Sequence, residues 1–150
     1  SDKLSEIDLK TYFNDLLSAI ENTVDSVMNV DIDLKCDGIF LNVNQALPSA
    51  LIVNELISNS LKHAFDGASI NEPTILLDVS EANEKVMITV KDNGVGMPEI
   101  FEEDYSMGYN IIHTLIDQLE ADLKISSKDG TAVSFSFKKR EVRGAASALI

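Results

Sequence analysis

The sequence predicts an α+β fold, a two-layer α/β sandwich in which helices cover one face of a mixed, largely antiparallel sheet. Several short stretches alternate apolar and polar residues, which is typical of strands with one buried face. Three longer stretches repeat apolar residues at three- and four-residue steps, which is typical of amphipathic helices. A chain of 150 residues that is 45% hydrophobic can bury one sizeable core, so we expect one domain-sized unit.

The first half of the chain predicts two helices separated by strand-like segments. Residues 9–20 carry the apolar stripe of the first helix, and residues 30–36 alternate as a half-buried strand. A short apolar piece at residues 39–43 leads into a long helix over residues 45–65. Pro48 falls in the first turn of that helix, where proline is tolerated.

The second half predicts two hairpins with a loop and a helix between them. Strands at residues 75–79 and 86–90 are joined by a polar turn, and the glycine-bearing stretch 92–105 has no clear period and is expected to be a loop. The remaining elements are an apolar helix at residues 110–119, a closing hairpin of residues 123–125 with 133–137, and a tail without pattern at residues 140–150.

The charge of the chain disfavours two classes of partner. A net charge of -13, from 12 Lys and Arg against 25 Asp and Glu, repels nucleic-acid backbones and anionic lipid surfaces. We therefore expect no nucleic-acid partner and no direct membrane contact. The single cysteine, Cys36, excludes an internal disulfide and a thiolate metal site, and it favours a reducing, cytoplasmic setting.

The long predicted helix divides into two faces. A carboxylate, an amide, an ammonium and an imidazole fall within roughly 100° of one another at the helical step, on Glu55, Asn59, Lys62 and His63. The packing side carries Val53, Ile57, Ser60, Leu61 and Ala64. Taken alone, the polar face is explained most simply as a solvated helix surface with an i,i+4 contact.

Three further motifs follow along the chain. Asp92-Asn93-Gly94-Val95-Gly96-Met97-Pro98 comes directly after a strand, and its glycines let the backbone approach a ligand, although a plain turn uses the same residues. Ser106-Met107-Gly108-Tyr109 precedes the apolar helix. A helix start at Gly108 offers free N–H groups to phosphate, while Ser106 alone is an ordinary N-cap. Gly130-Thr131 opens the last strand.

Together these motifs resemble the nucleotide-binding boxes of the GHKL ATPases, in order, over residues 5–138. The pattern Asn54-Glu55-Leu56-x-x-Asn59-Ser60-x-Lys62-His63-Ala64-Phe65 and the brief loop after Pro98 are similar to a subgroup of sensor histidine kinases with a compact lid. The resemblance implies a Bergerat-type sandwich that binds Mg-ATP between the long helix, the glycine loop and the second helix.

The resemblance assigns the adenine and metal contacts by position. Asp92 would accept a hydrogen bond from the adenine amino group, and Asn59 would hold Mg²⁺ through its carbonyl oxygen. A neutral amide with retained waters suits this ion. Gly94 and Gly96 would let the loop run close beneath the base, and Thr131 would add a second contact near it. Met97 of the same loop would also belong to the nucleotide site. The implied cofactors are therefore ATP and Mg²⁺.

The phosphate and catalytic roles follow from the same resemblance. Glu55 would act as the base toward the incoming nucleophile or order the water around the metal, and the sequence does not decide between these roles. A short acidic lid at residues 98–107 would cover the nucleotide, with Phe101 or Tyr105 as its apolar anchor. Positive potential for the phosphates would come from Lys62, His63 and a helix start at Ser106, Met107 and Gly108.

The sequence departs from the family pattern at two places. Ser106 stands where the second glycine box usually has its first glycine, with Tyr109 after Gly108, and Asp129 stands where a further glycine is frequent. These departures affect the expected lid and phosphate contacts. The adenine and metal positions match the pattern.

The resemblance also predicts what the chain works with. Residues 1–25 would be a linker helix from an absent dimerisation and phosphoacceptor domain, residues 26–139 the ATP-binding kinase domain, and residues 140–150 a loose tail. Neither His63 nor His113 has the surroundings of a phosphoacceptor. The expected partners are a histidine-bearing dimerisation domain of the same protein and the receiver domain of a response regulator, in a homodimeric parent protein.

Two other functions remain open on the sequence. A serine protein kinase of the anti-sigma-factor type uses nearly the same boxes, and a non-catalytic nucleotide-gated module would keep the pocket without phosphoryl transfer. Topoisomerase and mismatch-repair ATPases of the same superfamily handle DNA, which neither the length nor the acidity of this chain supports.

Overall fold

The computed structural model describes residues 6–23, 29–65 and 70–140. Its strands are β1 (Glu6–Asp8), β2 (Asp31–Cys36), β3 (Phe40–Asn42), β4 (Thr74–Ala82), β5 (Lys85–Asp92), β6 (Asp122–Ser126) and β7 (Ala132–Lys138). Its helices are α1 (Leu9–Thr23), α2 (Val43–Asn59), which continues into a π-helical turn (Ser60–Ala64), and α3 (Glu103–Leu119). Of the predicted tail, all but Arg140 lies outside the described residues.

Five strands form one mixed, largely antiparallel sheet in the order β2-β4-β5-β7-β6. β2 runs parallel to its neighbour β4, and the other neighbouring pairs are antiparallel. β1 and β3 pair antiparallel in a separate two-stranded sheet. The predicted α+β architecture is confirmed.

The β4–β5 hairpin shows why the alternating pattern selects these strands. The register places Leu77 opposite Val90, and both side chains are buried, so the apolar residues of the two strands share one face. The strands connect through Asn83 and Glu84, whose φ values of 54° and 62° are those of a tight two-residue turn.

One cluster of buried side chains joins the three helices to one face of the five-stranded sheet. Its largest fully buried members are Phe13, Phe135, Phe137, Leu9, Leu41, Ile52, Ile57, Ile75, Leu77, Ile88, Ile112 and Leu119. Leu9 and Phe13 of α1 are among these side chains, and burying one of them stabilises the fold by about 1.5–3 kcal/mol. Helix α1 is therefore an integral part of this core. Among the described residues, no helix has the length and apolarity that crossing a membrane requires.

The long helix α2 begins earlier than its apolar pattern predicts. Asn42 caps it, because the Oδ1 atom of Asn42 accepts a hydrogen bond from the Gln45 backbone N–H at 3.1 Å. The helix therefore starts at Val43, not at residue 45. Pro48 consequently lies in the second turn, and the prediction that placed it in the first turn was wrong.

Gln45 and Asn42 also anchor the end of the last strand. The Gln45 side chain is fully buried, its Nε2 donates to the Lys138 carbonyl at 2.9 Å, and its Oε1 accepts from the Arg140 N–H at 3.0 Å. Asn42 Nδ2 donates to the Arg140 carbonyl at 3.0 Å. Because β1 pairs with β3 directly before α2, the segments entering and leaving the fold are both fixed at the start of this helix.

Replacing Gln45 with alanine removes both side-chain hydrogen bonds and leaves two backbone groups without these partners. We expect the free energy of unfolding to fall by about 1–3 kcal/mol, measured by urea denaturation followed by circular dichroism. Asn44→Ala is the matched control, because Asn44 precedes Gln45 on the same helix and its side chain is exposed. Equal stability of the two variants would contradict the anchoring role.

Candidate functional site

A cleft opens where the C-terminal half of α2, its π-helical turn and the first half of α3 face the ends of β5 and β7. Its lining combines a carboxylate, an amide, an imidazole and two phenols with apolar side chains. The lining residues are Leu56, Asn59, Ser60, His63, Ala64, Val90, Asp92, Tyr105, Tyr109, Thr131 and Val133. An apolar wall with a few convergent polar groups is the usual form of a small-molecule site.

The carboxylate of Asp92 is the most strongly organised group in this cleft. Asp92 is only 3% exposed. Its Oδ1 accepts two backbone hydrogen bonds, from the Gly94 N–H at 3.0 Å and the Thr131 N–H at 3.1 Å. Its Oδ2 accepts one hydrogen bond, from the Ser60 hydroxyl at 2.7 Å. Since each carboxylate oxygen accepts about two hydrogen bonds, Oδ2 retains capacity for a ligand donor.

The backbone that follows Asp92 is fastened to the end of the α2 helix. The Val95 N–H donates to the Ala64 carbonyl at 2.8 Å. Gly94 passes so close to that carbonyl that a Cβ on Gly94 would overlap it. The glycine that was predicted to approach a ligand is therefore required by the contact between the loop and the helix.

A second glycine closes the other side of the same loop. Gly130 has a φ of +106°, and a Cβ there would overlap the Asp92 carbonyl. The Asp92 N–H donates to the Thr131 carbonyl at 2.9 Å, which joins the end of β5 to the start of β7. Farther along, the Met97 N–H donates to the Ser127 hydroxyl at 2.7 Å, next to Gly96. The loop is thus held in place by backbone contacts on both sides.

The helix α3 crosses directly over the polar face of α2. A Cβ on Gly108 would lie 3.0 Å from Glu55 Oε2 and 3.7 Å from Asn59 Oδ1. Glu55 and Asn59 are each half-buried. The absence of a side chain at Gly108 therefore lets these two polar groups sit at the interface between the helices.

Four rings form an aromatic cluster beside the cleft: Phe101, Tyr105, Tyr109 and His63. Tyr105 contacts Phe101, Tyr109 and His63, with ring centroids 4.4, 5.2 and 5.0 Å away. Burial raises the pKa of Tyr105 above its ordinary value. Burial, followed by the effect of the Tyr105 neighbour, raises the pKa of Tyr109. Both phenols are therefore protonated at neutral pH and can act as donors.

Two polar atoms at the cleft are buried without a hydrogen-bond partner among the described residues. They are Asn59 Nδ2 and His63 Nε2. A buried donor or acceptor without a partner costs about 1–3 kcal/mol, so such atoms are usually paired with water or a ligand. The oxygen and nitrogen of the Asn59 amide exchange places on rotation by 180°, so this residue can present either atom to a ligand.

The family model described as "Histidine kinase-, DNA gyrase B-, and HSP90-like ATPase" matches residues 44–141, which is more than half of the chain. The chain belongs to this ATPase family. ATP is thereby established as the cofactor at the level of the family. The described cleft lies wholly within the matched residues.

Relatives of this ATPase domain are named as sensor kinases. Blue-light-activated histidine kinase 2 of Erythrobacter litoralis is 28% identical over 122 residues, which cover 80% of this chain and 35% of that protein. Sensor histidine kinase PdtaS of Mycobacterium tuberculosis is 25% identical over 129 residues, which cover 82% of this chain and 25% of that protein. The chain thus spans about a quarter to a third of the length of these relatives.

Solved structures agree with the fold. The histidine kinase domain of a blue-light-activated histidine kinase from Erythrobacter litoralis superposes with a TM-score of 0.77 at 25% identity, covering 89% of this chain and 62% of that one. The resemblance to the catalytic domains of sensor histidine kinases is confirmed. The compact-lid subgroup stays a prediction.

The fold brings part of the predicted site together. Four of the predicted residues line one cleft, namely Asn59, His63, Asp92 and Thr131. The predicted residues that shape the loop beside it are Gly94, Gly96 and Met97. Lys62 and Met107 have exposed side chains and are not among the residues that line the cleft.

The start of α3 differs from the prediction. The helix begins at Glu103 rather than near residue 110, so Gly108 lies in its interior and offers no free helix start to phosphate. Ser106 is not the N-cap, because that position belongs to Glu102, whose side chain makes no capping hydrogen bond. Residues 103–107 of the predicted lid loop are therefore helical. Phe101, Tyr105 and Tyr109 recur every four residues, and their rings pack against one another along the start of this helix.

Ser60 belongs to the side of the long helix that the sequence predicts to pack, and no role at the site is predicted for it. In the fold its hydroxyl contacts Asp92. The sequence does mark this position, because Ser60 places a hydroxyl on a helix side that is otherwise apolar. A buried hydroxyl needs a partner, and that requirement marks such a position.

We expect Gly94→Ala to destabilise the domain by about 1–3 kcal/mol, because the added methyl group forces the loop away from the Ala64 carbonyl. Denaturant unfolding measures the change. Gly38→Ala is the control, since a Cβ at Gly38 meets nothing within 4 Å. If both variants unfold at the same denaturant concentration, the close approach at Gly94 does not constrain the fold.

Proposed function

We propose that this ATPase-family domain binds Mg-ATP in the described cleft and donates the γ-phosphoryl group to a histidine on a separate dimerisation domain, as the catalytic part of a two-component sensor histidine kinase. One observation carries the proposal: two polar groups line the same cleft. They are the buried Asp92 carboxylate, which can accept a further hydrogen bond, and the Asn59 amide, whose buried nitrogen has no hydrogen-bond partner in the described residues. The names of the relatives support histidine as the acceptor.

Asp92 recognises the adenine base. Its Oδ1 is occupied by two backbone N–H groups, so Oδ2 is the atom that accepts from the adenine amino group. Guanine carries a carbonyl oxygen where adenine carries its amino group. That oxygen would face the Asp92 carboxylate, and the two acceptors would repel each other. Hydrogen bonds to a charged group contribute about 1.5–3 kcal/mol, which corresponds to one to two decades of affinity.

Asn59 fits the role of a magnesium ligand. Its side chain is half-buried, and the buried Nδ2 atom has no hydrogen-bond partner in the described residues. A turn of the amide by 180° brings the carbonyl oxygen to that position, where it can bind an ion. A site of this kind leaves the remaining ligands to water and phosphate oxygens, as Mg²⁺ prefers. The bound ion would supply charge neutralisation at the phosphates, which this acidic protein otherwise lacks.

Glu55 is the catalytic carboxylate. It lies one helical turn before Asn59, and its Oε2 faces Gly108 at the interface between α2 and α3. In the transfer, the histidine nitrogen forms a bond to the γ-phosphorus, the bond from that phosphorus to the bridging oxygen breaks, and ADP leaves. Glu55 takes up the proton of the histidine or orders the water around the metal.

The first turns of α3 act as the lid. Tyr105 lines the cleft, is only 4% exposed and packs against His63, which lines it too. Entry of a nucleotide base would move residues 103–107 away from His63. Glu103 and Asp104 lie in the first turn of this helix and would move with it.

The remaining parts of the proposal concern the parent protein. Residues 1–25 connect the domain to the dimerisation domain, residues 26–139 form the kinase domain, and residues 140–150 are the tail. The described part of the linker is packed firmly, since Leu9 and Phe13 are fully buried in the common core. The parent is a cytoplasmically acting homodimer whose product phosphohistidine is consumed by the receiver domain of a response regulator.

Calorimetric titration with ATP tests the adenine contact. Asp92→Asn keeps an oxygen for the two backbone N–H groups but turns an amino group toward the cleft, so we expect affinity for Mg-ATP to fall about tenfold to hundredfold. Asp117→Asn removes a comparable charge from an exposed position on α3 and should leave affinity unchanged. Equal affinity of the two variants would place the base elsewhere.

Phosphoryl transfer is tested with labelled ATP and a histidine-bearing dimerisation domain supplied in trans. We expect label on that domain, labile to acid, and none on this chain alone. Glu55→Gln should bind Mg-ATP but transfer about 10²- to 10⁴-fold more slowly, whereas Glu84→Gln, at an exposed position in the turn between β4 and β5, should match the wild type.

The other outcomes of the transfer experiment separate the remaining functions. Acid-stable label on a protein substrate would indicate a serine kinase. Binding of Mg-ATP without transfer to any acceptor would indicate a nucleotide-gated module. Stable phosphorylation of His113 on the isolated chain would contradict the need for a separate acceptor domain.

A further inference from the structure

The hydroxyl of Ser60 makes a contact that the helix around it does not require. Ser60 is 8% exposed and donates to Asp92 Oδ2 at 2.7 Å, across 32 positions of sequence. Serine and threonine within helices ordinarily donate to the carbonyl one turn earlier, as Thr114 does here to the Asn110 carbonyl at 3.0 Å. The Ser60 hydroxyl is instead directed at the one carboxylate that lines the cleft.

The helix changes from α to π geometry at Ser60, although the φ and ψ of Ser60 itself, −61° and −44°, are ordinary α-helical values. Ser60 is the first residue of the π-helical turn that ends α2. Such turns are rare and occur frequently at functional sites, because the extra residue in the turn redirects the side chains around it. Here the turn carries Ser60, His63 and Ala64, and all three line the cleft.

The direction of this hydrogen bond determines what the cleft presents to a base. The carboxylate can only accept, so the Ser60 proton points to Asp92 Oδ2 and the free lone pairs of the hydroxyl remain for another donor. Asp92 Oδ2 and Ser60 Oγ therefore form an edge of two acceptors, 2.7 Å apart. Two acceptors this close can share one N–H of an amino group in a three-centre hydrogen bond, since the two N–H bonds diverge too widely for each to reach one acceptor.

We propose that Ser60 is a positioning and specificity-determining residue, which holds Asp92 Oδ2 toward the cleft and adds a second acceptor for the 6-amino group of a purine nucleotide. The proposal rests on the proposed function, because it concerns the same cleft. It extends that function, because it assigns the selection of 6-amino purines to Ser60 and Asp92 together rather than to Asp92 alone.

The test compares variants that differ in the hydroxyl and hardly in shape. Ser60→Thr retains a hydroxyl. Ser60→Val has the shape of the threonine variant but carries a methyl group in place of its hydroxyl. Ser60→Ala removes the hydroxyl without adding bulk. Affinities are measured by calorimetry for Mg-ATP and for the magnesium complex of purine riboside triphosphate, which lacks the 6-amino group. Circular dichroism confirms that each variant is folded.

We expect Ser60→Ala and Ser60→Val to bind Mg-ATP about threefold to tenfold more weakly than the wild type, with Ser60→Thr closer to the wild type than Ser60→Val. Affinity for purine riboside triphosphate should be the same for all folded variants. A merely structural role for Ser60 would weaken both nucleotides equally, and that result would overturn the proposal.

Two further outcomes distinguish this inference from the function on which it depends. If the wild type binds Mg-ATP and Ser60→Ala binds it equally well, the inference is wrong while the proposed function stands. If the wild type binds neither nucleotide, both are wrong.

Discussion

The burial of the Asp92 carboxylate is the constraint on which the rest of this site depends. A buried charge costs several kcal/mol unless it is fully hydrogen-bonded. Here the donors come from the loop after β5, from the start of β7 and from the end of α2, through Gly94, Thr131 and Ser60. Three segments that are distant in sequence must therefore meet within hydrogen-bonding distance of one side chain. Their meeting point is the wall of the cleft.

This constraint explains why the glycines stand where they do. Gly94 and Gly130 allow backbone atoms to approach the Ala64 and Asp92 carbonyls more closely than a Cβ permits. Both glycines serve the packing of the loop, and the space they save lets the Asp92 side chain reach its three donors. The glycine-rich pattern thus shapes the wall of the cleft around Asp92 through contacts within the protein. Any contact of these residues with a ligand depends on that wall being in place.

Most of the sheet could be predicted from the sequence, because β2, β4, β5 and β7 alternate more buried with less buried residues, whereas β6 has no buried residue. Asn59, His63, Asp92 and Thr131 could also be assigned to one region, because the order of their motifs resembles a known family. The start of α3 could not be predicted. It depends on the packing of Tyr105 against His63, which comes from a helix about forty positions earlier in the chain. Local turn residues carry no information about such a contact.

The position of the α3 start also bears on how an acidic domain accommodates a triphosphate. A helix N-terminus attracts phosphate through its free N–H groups, but at Glu103 this attraction is opposed by carboxylates in the first turn. Gly108 has the least intrinsic preference for a helix interior among the residues of this segment, and it lies next to Glu55 and Asn59. In the proposed function, charge neutralisation of the phosphates then falls to a cation beside Asn59 rather than to the start of this helix.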